Sequence, residues 1–143
     1  AAGNEHSLAL KSDGTVWAWG VTYYGQMFDH QARTVRPTPT QVPGLTGVVA
    51  LREGGWHWLA LKSDGTVWAW GQNHEGQLGD GTFTPRPTPA QVPGLTGVEV
   101  LAAGGEHSLA LKSDGALWTW GSNFHGQFGN GSSGVLLSPV RVW

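Results

Sequence analysis

An internal repeat of about fifty residues constrains the fold of this chain more than any other feature of its sequence. Residues 8–20 and 59–71 are identical (LALKSDGTVWAWG), and residues 109–121 differ from them at three positions. The segment QVPGLTGV also occurs twice, at residues 41–48 and 91–98. We therefore treat the 143-residue chain as a single array of three repeats, which span approximately residues 1–49, 50–99 and 100–143.

Each repeat has the pattern of short antiparallel strands. In the second copy, residues 57–62 and 66–71 alternate between larger apolar and smaller or polar side chains, and the turn Ser-Asp-Gly separates them. A long Gly-, Asn- and Pro-rich loop follows, and then two further short strands near residues 89–92 and 97–101. No segment has helical periodicity. Four strands in about fifty residues are typical of propeller blades, so the sequence predicts an all-β chain of three four-stranded blades.

Six of the nine tryptophans have a structural explanation in this fold. They occur as three pairs whose members are two residues apart, so both rings of a pair lie on the same face of a strand. We expect that face to pack against the neighbouring blade, because large aromatic side chains supply most of the buried area in small blades. The pairs are Trp17 and Trp19, Trp68 and Trp70, and Trp118 and Trp120.

The run HSLALKSDGTVWAWG at residues 6–20, together with QNHEGQLGDGT at residues 72–82, resembles the repeat of the regulator of chromosome condensation family. The resemblance covers essentially the whole chain. It implies a β-propeller, typically of seven blades, that acts through protein contacts. The activities known in that family are nucleotide exchange on a small GTPase, accessory roles in ubiquitin ligases and, in bacteria, inhibition of a β-lactamase. The resemblance therefore implies the fold strongly and the function weakly.

Three blades do not close a ring, since seven blades at this period need about 350 residues. The first copy lacks its opening strand, and the third ends on the strand that contains Pro139 and Val140. Three explanations remain open: a fragment of a longer protein, an array that pairs with itself, or an engineered or recently duplicated array. We favour self-association into a homodimer, because uncovered blade faces and strand edges are templates for pairing.

Composition and charge argue against several classes of function. The net charge is −2 and no basic stripe is present, so we expect no nucleic-acid partner. No apolar run is long enough to cross a membrane, so we expect no membrane partner. Cysteine is absent, which excludes disulfides, thiolate nucleophiles and cysteine metal ligands.

The histidines and aspartates form no catalytic motif that we recognise. His6, His57 and His107 recur once per repeat, and a ring of imidazoles could bind a metal. We favour a structural role in which each histidine hydrogen-bonds a neighbouring backbone group. The repeated aspartates belong to the Ser-Asp-Gly turns. The sequence thus predicts no catalytic residue, no metal and no cofactor.

Positions that differ between the copies are the candidates for function. The loop after the second strand varies, and the second copy begins its first strand with two tryptophans where the other copies have glutamate and serine. Because loops on rigid repeats carry binding residues and aromatic side chains dominate interfaces, we predict a partner-binding surface there. Its predicted members are Trp56, Trp58, Tyr23, Tyr24, Phe28, Phe124, His74 and His125.

These features predict a non-catalytic binding scaffold whose partner is a protein, a second copy of the chain, or both. The alternative is a lectin-like module in which tryptophan and tyrosine rings stack on sugar rings. The low charge and the many Trp, Asn and Gln residues are compatible with that alternative.

Overall fold

The computed structural model describes residues 1–3, 5–23 and 33–143, which form eleven β-strands in three antiparallel sheets. Within those ranges, no helix has the length and hydrophobicity needed to cross a bilayer. The strands are β1 (His6–Leu10), β2 (Val16–Tyr23), β3 (Arg33–Gln41), β4 (Val48–Glu53), β5 (His57–Lys62), β6 (Val67–Gly71), β7 (Arg86–Gln91), β8 (Val98–Ala103), β9 (His107–Lys112), β10 (Leu117–Ser122) and β11 (Val135–Arg141).

Each sheet is one propeller blade, which confirms the predicted fold class. The second blade has the strand order β4-β5-β6-β7, and the third has β8-β9-β10-β11. The first blade has the order β1-β2-β3, and an isolated bridge between Ala2 and Ser7 stands where the others have a first strand. This agrees with the expectation that the first copy lacks its opening strand. Strand β4 contacts β8, and β1 contacts β4. The sheet edges formed by β1, β4 and β8 therefore face the propeller axis.

The two ends of the blades have different structures. At one end, which we call the turn end, the Ser-Asp-Gly hairpin turns lie beside the Pro-Gly segments that connect the blades. Gly14 accepts a hydrogen bond from Val48 N (3.2 Å), and Ser63 N donates to Gly47 O (2.9 Å). Gly14 has a φ of +80°, which its lack of a Cβ permits. The opposite end, which we call the loop end, contains the β4–β5 turn and the long β6–β7 and β10–β11 loops.

The blades pack with a fixed polarity. The face of one blade that carries the tryptophans lies against the aliphatic face of the blade before it. In the first junction, Leu8 and Val16 of blade 1 form a buried cluster with Trp70 of blade 2. In the second junction, Leu59 of blade 2 clusters with Trp120 of blade 3. The rings of Trp70 and Trp120 are fully buried, which is the inter-blade role that the sequence predicts for them.

Candidate partner-binding surface at the loop end

The repeated histidine joins each blade to the next. At the second junction, the Nε2 atom of His57 lies 2.8 Å from the hydroxyl oxygen of Ser108. That hydroxyl donates to the backbone carbonyl of Gln77 (3.0 Å), so it accepts from His57, and the imidazole carries its proton on Nε2. Burial, with a further contribution from nearby His107, lowers the pKa of His57 to about 3. The histidine is therefore a neutral structural link, although its partner is a side chain rather than the predicted backbone group.

The first junction uses different residues at the same positions. Trp58 occupies the place of Ser108 and is 1% exposed. Its ring packs edge-on against His6, with centroids 5.0 Å apart, and the Nε2 atom of His6 lies 2.7 Å from a carboxylate oxygen of Glu53. The expectation that Trp58 belongs to a surface aromatic set is therefore wrong. The side chain fills the junction, because the strand position it occupies points toward the preceding blade.

The described histidines and carboxylates are not arranged as a metal site. Among residues 1–3, 5–23 and 33–143, no three side chains of His, Asp or Glu are grouped closely enough to hold a metal ion.

Trp56 remains a surface residue at the loop end. It precedes β5 and is 49% exposed. Its backbone carbonyl accepts a hydrogen bond from Gln72 N (2.9 Å), which ties it to the start of the β6–β7 loop. His74, two residues further along this loop, is also exposed. The two predicted residues therefore lie on neighbouring segments of blade 2.

A buried asparagine organises the β6–β7 loop. The Oδ1 atom of Asn73 accepts from Leu78 N (3.0 Å), and its Nδ2 donates to the carbonyls of Thr82 (2.8 Å) and Thr84 (3.1 Å). These bonds hold the residues on both sides of Phe83, whose ring is 53% exposed. Sequence reasoning missed Phe83. The available signal was that copy three has Ser133 at the equivalent position.

The third blade repeats the arrangement. Asn123 accepts from Phe128 N (2.9 Å) and donates to Ser132 O (2.8 Å). The loop it organises presents Phe124, which is 62% exposed, and the exposed His125. Phe124 occupies the repeat position of His74, so two neighbouring blades present a ring at the same place.

The first blade departs from this plan. Thr22 replaces the asparagine, and β2 continues to Tyr23 by pairing with the start of β3 at Arg33. The backbone of Tyr23 therefore lies at the loop end, at the repeat position of His74. Its side chain is not described, and the predicted site residues Tyr24 and Phe28 lie outside the described residues.

The β6–β7 loop is fixed to the next blade as well. Gly81 N donates to Leu137 O of β11 (2.8 Å). A Cβ at Gly76 would lie 2.8 Å from the Leu137 side chain, and one at Gly79 would lie 2.8 Å from the Trp120 ring. Glycine at these positions lets the loop backbone lie directly against blade 3. The exposed side chains of this loop are consequently carried by a rigid support.

The nearby carboxylate of Asp80 is paired with Arg86 and accepts hydrogen bonds from Thr82. Burial acts to raise the pKa of Asp80, but these partners outweigh it and lower the pKa below its usual value.

The geometry defines a set of exposed rings on the loop end of blades 2 and 3, which we call the aromatic rim. The aromatic rim consists of Trp56, His74, Phe83, Phe124 and His125.

Comparison with protein families gives two matching sequence profiles, both described as the regulator of chromosome condensation (RCC1) repeat. One matches residues 64–111 and 114–142, and the other matches residues 1–26, 48–77 and 98–127. The human E3 ubiquitin-protein ligase HERC2 is 43% identical over 82 residues, which are 56% of this chain and 2% of that protein. The fission yeast protein pim1 is 36% identical over 92 residues, covering 55% of this chain and 17% of pim1. The chain thus spans only a small part of these relatives.

Solved structures share the fold along the whole chain. The crystal structure of human WBSCR16 has a TM-score of 0.85 at 26% identity, and the match covers 99% of this chain and 38% of the WBSCR16 chain. The structure of Prp20p from Saccharomyces cerevisiae, a protein with binding properties to Gsp1p and histones, has a TM-score of 0.88 at 23% identity, and the match covers 100% of this chain and 37% of Prp20p. Yeast RCC1 (Prp20) bound to Kap60 gives 0.87 at 24% identity, with 100% and 36% coverage.

Proposed function

The chain belongs to the regulator of chromosome condensation (RCC1) repeat family, and we propose that it acts as a non-catalytic module that binds a protein partner through the aromatic rim. The supporting observation is that three large rings, those of Trp56, Phe83 and Phe124, are about half exposed or more on a support held by buried asparagines. Rings that are already fixed before binding lose little conformational entropy in an interface. Aromatic side chains also supply most binding hot spots.

The class of partner is suggested by related propellers. Yeast Prp20p is bound to Kap60 in one structure and has binding properties to Gsp1p and histones, and all of these partners are proteins. A rim of apolar rings with few charges suits the centre of a protein interface, where charged residues are depleted. We therefore propose a protein surface with an apolar patch as the ligand of the rim.

The test measures binding of the chain to purified Gsp1p, Kap60 and histones by biolayer interferometry. The rim variant carries Trp56→Ser, Phe83→Ser and Phe124→Ser. We expect it to bind at least about tenfold more weakly than the wild type, since each lost hot spot costs about 1–2 kcal/mol. The matched control is Val35→Ser, which removes an apolar side chain of similar exposure (53%) on the outer strand of blade 1. Binding to none of the three proteins, or equal binding by wild type and rim variant, would contradict the proposal.

Carbohydrate binding is the second candidate. The indole of Trp56 exposes about half its surface, and such a ring can stack on a sugar. A glycan array separates the two candidates when it is probed with the wild type, the rim variant and the Val35→Ser control. If the wild type and the Val35→Ser control bind a glycan and the rim variant does not, the result would favour the lectin-like alternative over a protein partner.

We also propose that the chain self-associates. The support is that Trp19, on the face of blade 1 that points away from blade 2, is only partly buried, whereas Trp70 and Trp120 at the equivalent positions are 0% exposed. Light scattering on the intact chain should give twice the 15.2 kDa mass of one copy at micromolar concentration. A stable monomer would contradict this part of the proposal.

A further inference from the structure

Two turns of the loop end are in direct contact inside the array. The β4–β5 turn of blade 2 and the β8–β9 turn of blade 3 are joined by a hydrogen bond from Gly55 N to Gly105 O (3.1 Å). A Cβ at Gly55 would lie 3.0 Å from that carbonyl oxygen and 3.4 Å from the Cα atom of Gly105. Because a side chain at residue 55 would crowd the next turn, glycine there lets the two backbones lie side by side.

The residues that directly follow the two bonded glycines occupy the same repeat position. They are Trp56 and Glu106, and both side chains are exposed. The carbonyl oxygen of Trp56 accepts a hydrogen bond from Gln72 N (2.9 Å). The carbonyl oxygen of Glu106 accepts the equivalent bond from Ser122 N, also at 2.9 Å. The two turns therefore hold a large ring and a carboxylate at neighbouring positions of the loop end.

Glu106 also adjoins the loop that carries another ring of the aromatic rim. Its bond to Ser122 N ties the β8–β9 turn to the start of the β10–β11 loop, two residues before the exposed Phe124. The turn of Glu106 is thus fixed on one side to the turn of Trp56 and on the other side to the loop of Phe124. A carboxylate consequently stands within the aromatic rim.

The basic side chains of residues 50–143 all have other partners. Two arginines donate to backbone carbonyls, a third arginine is paired with an aspartate, and two lysines lie over tryptophan rings near the turn end. In that order they are Arg52, Arg141, Arg86, Lys62 and Lys112. Among the described residues, no ion pair includes Glu106. Its charge is therefore available to a cation of another molecule.

An exposed ring beside such a carboxylate suits an arginine side chain. The planar guanidinium can stack on an aromatic face while it donates two parallel hydrogen bonds to a carboxylate. A lysine ammonium is a point charge without that fork, and an anionic group would be repelled. When a partner covers the rings and excludes water, the attraction between the two charges also becomes stronger.

We propose that the protein partner of the aromatic rim presents an arginine whose guanidinium pairs with Glu106 and stacks on the ring of Trp56. This inference rests on the proposed function and names the chemistry that the rim recognises. The apolar patch of the partner covers the rings, and the arginine satisfies the carboxylate that would otherwise be buried without a partner.

The test titrates the chain with a heptapeptide, acetylated and amidated, that has a central arginine, two leucines and otherwise glycine. Amide and indole NH chemical shifts provide the measurement. We expect saturable shifts of the Trp56 indole and of the amides of Gly105 and Glu106. Citrulline has nearly the shape of arginine without its charge, so a citrulline peptide should bind at least about tenfold more weakly. A lysine peptide should also bind more weakly than the arginine peptide.

A pair of matched variants locates the interaction. Glu106→Gln should weaken binding of the arginine peptide at least about tenfold and leave binding of the citrulline peptide unchanged. The control Glu99→Gln removes the same charge from an exposed glutamate near the turn end of β8 and should bind as the wild type does. Glu106→Gln should fold, because this repeat position holds glutamate in the first copy and tryptophan in the second. Far-UV circular dichroism checks the fold, and the citrulline comparison on the wild type needs no variant.

The outcomes separate this inference from the proposed function. No saturable shifts, equal binding of the arginine and citrulline peptides, or equal binding of the arginine peptide by wild type and Glu106→Gln would overturn the arginine site. The same variant is then measured against whichever of Gsp1p, Kap60 and histones binds the wild type. If the rim variant loses that protein and Glu106→Gln keeps it, only the arginine inference fails. If the rim variant binds it as the wild type does, the proposed function itself fails.

Discussion

His6 packs edge-on against Trp58 across the junction of the first two blades, with ring centroids 5.0 Å apart and ring planes at 88°. At the next junction the equivalent histidine, His57, meets the hydroxyl of Ser108 instead. An indole in place of a hydroxyl leaves the Nε2 atom of His6 without that partner, and the carboxylate of Glu53 lies 2.7 Å from it. The third copy has Ala103 where the second has Glu53. The tryptophan and the glutamate therefore occur together at the junction that lacks the serine hydroxyl.

The burial of Trp58 gives the first prediction. Trp58→Ser should lower the free energy of unfolding by about 3–5 kcal/mol, because it removes a large buried ring and leaves a cavity. Trp56→Ser, two residues away and half exposed, should change it by less than about 1 kcal/mol. Urea unfolding of both variants supplies the measurement. Equal effects of the two substitutions would contradict the assignment of Trp58 to the core.

The coupling between Trp58 and Glu53 gives the second prediction. Glu53→Ala should cost about 1–2 kcal/mol in the wild type, because it leaves a buried nitrogen of His6 unpaired. In a Trp58→Ser background the cost should fall below about 0.5 kcal/mol, since the new hydroxyl can serve His6 as Ser108 serves His57. A double-mutant cycle measured by urea unfolding tests this. Strictly additive effects would show that the two positions are independent.

The repeat predicts most of the fold because its turns, alternating strands and tryptophan pairs are local features that recur with one period. The buried asparagines Asn73 and Asn123 also have a visible sequence signal, since Thr22 replaces them in the one copy whose strand continues. The candidate site was predicted less well. The difference between Trp58 and its counterparts in the other copies predicts a surface role for it, yet its position in the strand determines that it faces the junction. A difference between copies can reflect a repacked junction as well as a binding role.

Phe83 shows the opposite error. It lies in a segment without regular periodicity, so the only sequence signal for it is the serine, Ser133, at the equivalent position of the third copy. Its placement depends on bonds from Asn73, ten residues earlier, to the carbonyls on both sides of it. Such a loop conformation is set by contacts that are distant in sequence, and strand patterns carry no information about them.

A glycine next to the junction histidine gives the third prediction. A Cβ at Gly54 would overlap the ring of His57 and lie 2.5 Å from the carbonyl oxygen of Gly104 in the next blade. Gly54→Ala should therefore destabilise the chain by about 1–3 kcal/mol through overpacking. The matched control is Gly105→Ala, where a Cβ would meet no atom within 4 Å and where, as at Gly54, φ is not positive. Thermal unfolding should distinguish the two, and equal melting temperatures would contradict the tight contact.

The buried imidazole of His57 gives the fourth prediction, a pH dependence of stability. Burial lowers its pKa in the folded chain to about 3, whereas the same imidazole has a pKa of about 6.5 in the unfolded chain. Below pH 6.5 the unfolded state therefore binds a proton that the folded state does not. The stability this residue contributes is complete above that pH and is lost as the pH falls toward 3, by about 1.4 kcal/mol per pH unit.

The control for this prediction is His57→Gln, which removes the titrating group from the junction. Burial also lowers the pKa of His107, so that residue adds to the dependence in the same direction and remains in the variant. The aspartates Asp13, Asp64 and Asp80 have lowered pKa values, and their contribution is lost only as the pH falls below about 4. Urea unfolding between pH 7 and pH 4.5 consequently isolates the histidines. The variant should show a shallower decline than the wild type, and parallel declines would mean that His57 is protonated in the folded junction.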